Sequence, residues 1–156
     1  YTTLARQMKE ALPQFQSLWA QLQQTLIAAS QNKNQQPDRT ALENIKMASA
    51  QSRIDLDKKI RAANVLYEND IDLNLKQNVI GLFTDAKNIQ ETAIPVILTV
   101  LSTGTDKINN PQRSTLKSFL AKGQELQNKS REIATLFDIY RRTHNITDEA
   151  LHNFGL

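Results

Sequence analysis

At 156 residues and a net charge of +3, the chain is sized for one domain that buries its own core without covalent or metal staples. It has no cysteine, which removes thiol nucleophiles and thiolate metal sites, and its 4 Gly and 4 Pro leave few turns between long elements. The polar faces are rich in amides, with 15 Gln and 13 Asn, and no run approaches the roughly 20 apolar residues that a membrane span needs.

The first predicted helix covers residues 3–30. Leu4, Met8, Ala11, Phe15, Leu18, Leu22, Thr25 and Ala29 follow alternating four- and three-residue steps, the period of a helix packed against other helices. Leu12, Trp19 and Leu26 widen this stripe, which places the single tryptophan in the core or beside a pocket. Pro13 interrupts the hydrogen bonding but not the apolar phase, so a kink is expected there.

A polar loop, Gln31 to Gln36, ends in Pro37, and Thr40 with Glu43 reads as a capping box in competition with Asp38. The second helix is expected over 39–67, with Leu42, Ile45, Ser49, Ser52, Leu56, Ile60, Ala63 and Tyr67 as its inner seam. Met47, Ala50 and Ile54 fall off that line and form a second contact face. The connection Glu68 to Ile71 is short, which sets the second and third helices side by side and antiparallel, with Asp70 or Asp72 as the next cap.

The third helix, over 72–102, is the hub. Leu75, Val79, Leu82, Ala86, Ile89, Ala93, Val96 and Val100 form one line, and Ile80, Phe83, Ile94, Ile97 and Leu101 form a second, so more than one neighbour must cover it. Pro95 removes the hydrogen bond to the Glu91 carbonyl and predicts a kink. Kinks open space between helices, so the candidate ligand pocket is placed near Pro95, Ile94 and Trp19. Gly104 is the expected stop of this helix, and Asn110 with Pro111 the expected start of the fourth, over 111–143. Its inner stripe is Leu116, Phe119, Gly123, Leu126, Ser130, Ile133, Phe137 and Tyr140, with Asn145 as a left-handed stop. Thr147 starts a last short helix, over 148–154, whose Leu151 and Phe154 close one end. Together these elements predict an all-α, single-domain four-helix bundle of up-down-up-down topology.

Little catalytic chemistry is present. Of the two histidines, His152 pairs with Glu149 at the spacing of a carboxylate-bridged metal site, but no second pair accompanies it, so no metal, cofactor or catalytic residue is assigned. The four glycines are isolated, which excludes a phosphate-binding loop. From Asp106 to His144, eight Lys and Arg face four acids, a sparse distribution that lacks the dense stripe of a nucleic-acid reader. Arg141 and Arg142 suit the negative end of a helix dipole and are candidates, with Met47 and Ile54, for partner contact.

The expected function is therefore a non-enzymatic protein-interaction module that docks another protein or helix. An extracytoplasmic ligand-sensing domain of a bacterial receptor is the alternative, and a membrane-acting helical toxin or its inhibitor is a remote one, resting on the β-branched run Ile94 to Leu101. The missing cysteines favour a periplasmic or secreted setting over a cytoplasmic one. With Tyr1 at its start, a leader, an anchor or another domain is expected ahead of the chain.

Overall fold

The computed structural model describes residues 1–31, 39–67, 73–103 and 108–153, with the side chain of Ser30 left aside. The expectations at Gln31 to Asp38 beyond residue 31, at Glu68 to Asp72, at Gly104 and at Phe154 lie outside the described residues. Among those described, the chain is all-α: α1 (Thr2–Gln31), α2 (Arg39–Asn64), α3 (Leu75–Thr92), α4 (Ile94–Thr103), α5 (Asn110–Thr143) and α6 (Asp148–Asn153). α3 and α4 together form the third rod of a four-helix bundle.

Ion pairs fix the direction of each rod. Lys59 reaches Glu10 between α2 and α1, Lys87 reaches Asp57 at 2.8 Å between α3 and α2, and Lys129 reaches Asp85 at 2.6 Å between α5 and α3. Aromatic contacts join the remaining pair, with Tyr1 packed on Phe137 and Tyr140 while Trp19 lies on Phe119. Low numbers meet high numbers in every case, so each rod runs antiparallel to its two neighbours. That is the up-down-up-down order.

The hub carries the densest burial. Leu75, Val79, Leu82, Phe83, Ala86, Ile89, Ala93, Ile94, Ile97, Val100 and Leu101 are buried, and the two remaining members of the apolar lines, Ile80 and Val96, are half-buried. One correction applies to its continuity. The expected single helix is two, divided at Ala93, because Pro95 has no N–H to bond back to the Glu91 carbonyl, although Ala93 itself keeps helical dihedrals of φ −94° and ψ −39°. Hydrogen bonds from Ala93 N to Ile89 O and from Ile97 N to Ala93 O, each 2.9 Å, keep the two pieces nearly continuous. Pro13 has a milder effect, since α1 runs through it without interruption.

Other boundaries also shift. α2 starts at Arg39, so Thr40 lies inside its first turn instead of ahead of it. α2 stops at Asn64 rather than Tyr67, and Lys76 donates to the Leu66 carbonyl at 2.9 Å and the Asn64 carbonyl at 3.4 Å, placing a cation at that helix end. Tyr67 is consequently exposed and not part of the seam. α5 begins one residue earlier than expected. Asn109 is its cap, accepting from Gln112 N at 2.9 Å while the Gln112 side chain accepts from Asn109 N at 3.0 Å. Asn110 in that role would have Arg113 at the reciprocal position, and a guanidinium cannot accept a hydrogen bond. At the other end Asn145 takes φ 52°, and Asn145 N and Ile146 N bond back to Arg142 O and Arg141 O at 3.3 and 3.0 Å. This is the left-handed stop with both of its closing bonds.

Trp19 occupies the core. Its ring stacks on Phe119 with centroids 4.0 Å apart, and its six-membered ring lies against the backbone of Gly123. A Cβ at position 123 would sit 1.8 Å from Trp19 Cζ2, so only glycine admits the indole.

Two substitutions test these points. Gly123→Ala raises helix propensity by about 1 kcal/mol yet must displace the indole, so a net loss of about 1–3 kcal/mol in urea unfolding is expected. In a Trp19→Leu background the same change should cost little or stabilise; equal losses in both backgrounds would place the constraint elsewhere. Asn109→Ala should cost about 1 kcal/mol and Asn110→Ala a few tenths at most, read as shifts in the unfolding midpoint.

Candidate functional site

One concavity lies between α2 and the α3–α4 break. It is a cleft of about 420 Å³. Ile94, Pro95 and Leu98 supply an apolar wall from the third rod, Leu42 a second from α2, and Glu43 and Lys46 stand at its rim with their carboxylate and ammonium 3.5 Å apart. Helical spacing explains this lining. Lys46, Ser49 and Arg53 share the flank of α2 that meets α4, and Gln90, Ile94 and Leu98 lie one turn apart along the opposing face.

The base of the cleft is polar in an otherwise apolar seam. Gln90 is only 2% exposed, and its Nε2 donates to Ser52 Oγ at 3.1 Å. Its Oε1 is buried without a hydrogen-bond partner, and so is Nε of Arg53, which also lines the cleft. One is an acceptor and the other a charged donor. Leaving such groups unmatched away from water costs about 1–3 kcal/mol each, and more where charge is involved.

The residues assigned from sequence separate into three places. Ile94 and Pro95 are at the cleft, the first buried and the second at the surface. Trp19 is buried against α5 and lines none of it. Met47 and Ile54 project from α2 on the side opposite its buried residues Ile45, Ser49, Ser52 and Leu56, and they are 69% and 51% exposed. Arg141 and Arg142 lie at the far end of the bundle, as the registers set by Lys87–Asp57 and Lys129–Asp85 require. There Arg141 is engaged within the chain: it pairs with Asp148, and its Nε donates to the Ile146 carbonyl at 3.1 Å, closing α6 onto α5. Arg142 is exposed. Glu149 and His152 are both exposed on α6, and no group of three or more metal-ligating side chains occurs among the described residues.

Gln90 and Arg53 were not singled out by sequence reasoning, although a signal for Gln90 existed. The second apolar line of the hub runs Ile80, Phe83, then Ile94, Ile97 and Leu101, and its gap is filled in phase by Lys87 and Gln90. Lys87 reaches out to Asp57, while the shorter Gln90 stays inside. No family model matches the chain, and neither a curated protein nor a solved structure is significantly similar to it.

Two inter-helix ion pairs give the fold a pH dependence. The Lys87 hydrogen bond holds the Asp57 carboxyl below its ordinary value, and the Lys59 hydrogen bond does the same for Glu10. A carboxyl depressed in the folded state adds stability above its unfolded pKa and loses it as pH falls through the folded one. The urea midpoint should therefore drop on acidification from about pH 5 to about pH 3. In a Glu10→Gln/Asp57→Asn variant, part of that drop should already be present at neutral pH, and an unchanged acid slope would show that neither pair contributes.

Proposed function

We propose that this bundle is a non-catalytic binding module that docks a helix of a partner protein on the outward face of α2. The observation that carries the reading is the exposure of Met47 and Ile54, two large apolar side chains two turns apart on the face that the core does not use. A helix whose inner seam is already satisfied gains nothing in folding from a second apolar line, whereas such a ridge suits the groove-and-ridge contact of partner helices. Lys58 and Arg61 continue the same face toward its C-terminal end. A partner with an apolar stripe bordered by carboxylates is complementary to it. Both histidines stand exposed at the α5–α6 end, away from this face and from the cleft.

A second reading, a ligand-responsive bundle of the kind found in receptor sensor domains, is favoured by the cleft at Pro95 and by its unmatched polar atoms.

The docking reading is tested by placing a photo-crosslinking residue at Met47 or Ile54 in the source cell. Discrete adducts are expected at these positions, absent at the exposed control Gln24 on α1, and lost with Ile54→Asp. That substitution is at an exposed site and should change folding stability by no more than about 0.5 kcal/mol. Equal adduct patterns at all three positions, or none at 47 and 54, would remove the reading.

A further inference from the structure

We propose that the cleft between α2 and the α3–α4 break binds a small carboxylic acid that carries a hydrogen-bond donor next to its acid group and an apolar tail. This deepens the ligand-responsive reading by naming the residues and the ligand class, and it is independent of the docking face on the other side of α2.

The argument starts from two atoms. Gln90 Oε1 and Arg53 Nε are buried, line the same cleft, and have no hydrogen-bond partner. Native interiors rarely leave such groups unmatched; Gln7 Oε1 is another and lines none of this cleft, so it is the meeting of two unmatched atoms in one cleft that points to a ligand. With one end of its amide held by Ser52 Oγ at 3.1 Å, Gln90 leaves the other end unmatched whichever way round the amide lies. Arg53 has no ion pair among the described residues, unlike Lys46 at the rim of the same cleft, which meets Glu43 at 3.5 Å.

The chemistry of these atoms selects the ligand. The Arg53 guanidinium is half-buried, with Nε its buried, unmatched atom, and its planar donor array favours a carboxylate or a phosphate. At the rim the Lys46 ammonium is already opposed by Glu43 at 3.5 Å, which leaves the cleft with one uncompensated positive charge. One charge fits a monocarboxylate better than a phosphate dianion. The amide oxygen of Gln90 accepts only, so the ligand must donate to it, through a hydroxyl or an amine. Ile94, Leu98 and Leu42 then offer an apolar surface for the remainder, and a volume of about 420 Å³ is in the range of small-molecule sites.

Pro95 gives binding a structural consequence. The ligand's contacts span α2 and both sides of the break at Ala93, so occupancy ties α4 to α2 across the one interruption in the hub.

The test uses the whole chain and 2-hydroxy-4-methylpentanoate as the probe, followed by the side-chain Nε–H resonance of Arg53 and the amide resonances of Gln90. Saturable shifts at about 10 mM probe or below are expected, with the probe's primary amide at least about tenfold weaker. Removing the probe's hydroxyl, in 4-methylpentanoate, should weaken binding by a similar factor. Arg53→Met should abolish the preference for acid over amide. If that variant does not fold, the comparison of acid and amide on the unmodified chain decides alone. Equal binding of acid and amide would overturn the carboxylate proposal and leave the ligand-responsive reading standing. Resonances that stay in place with either compound would overturn both.

Discussion

The fold rests on one requirement: the third rod must be covered on nearly every side. Leu82 and Ile89 belong to one apolar line and Phe83, Ile94 and Ile97 to another, and all are buried. Two lines on one helix demand at least two neighbours, and α2 and α5 both pack on it. α1 completes the square through α2 on one side and through Trp19 against Phe119 and Gly123 on the other. Burial drives this assembly and the polar pairs orient it. Lys59–Glu10, Lys87–Asp57 and Lys129–Asp85 are partly exposed, so each contributes little free energy, but each sits on a different seam and is satisfied only in the antiparallel register.

The same rod also contains the main irregularity. A proline at position 95 takes the hydrogen bond from Glu91, yet the flanking bonds at Ala93 and Ile97 persist and the apolar residues on both sides stay buried. The break is therefore absorbed locally, without rerouting the chain. Pro13 in α1 lies on the exposed side and is absorbed more completely. Pro95 is exposed as well, and both prolines border a groove against α2, so each costs only its own backbone bond.

How much of this could be read in the residues differs from element to element. The core was legible because four-three spacing at positions such as Leu75, Val79, Leu82 and Ile89 reports directly on which face is buried. The start of α5 was legible to within one residue; Gln112 would have resolved the choice, because only Asn109 has an acceptor side chain three residues on. The stop of α2 was less so. Tyr67 continues the apolar phase, but the carbonyls at the helix end are taken by Lys76, a contact that depends on tertiary approach and leaves no local mark. The cleft was legible in position, from Pro95, and not in chemistry. Gln90 is one of 15 glutamines, most of them on polar faces, and its burial emerges only when Ser52 is seen opposite.

That pairing bears on why the α2 seam is so thin. Ser49 and Ser52 stand where larger apolar residues would bury more surface, and the space they leave admits the Gln90 side chain. An Ala–Leu combination at positions 52 and 90 would remove the unmatched oxygen and keep the packing, since replacing both partners of a buried hydrogen bond is close to neutral. The chain instead holds a small hydroxyl, a buried amide and a half-buried guanidinium together, beside the one break in its hub. Stability alone does not select that arrangement. On the ligand-binding proposal, the same unmatched atoms become the source of affinity and of discrimination.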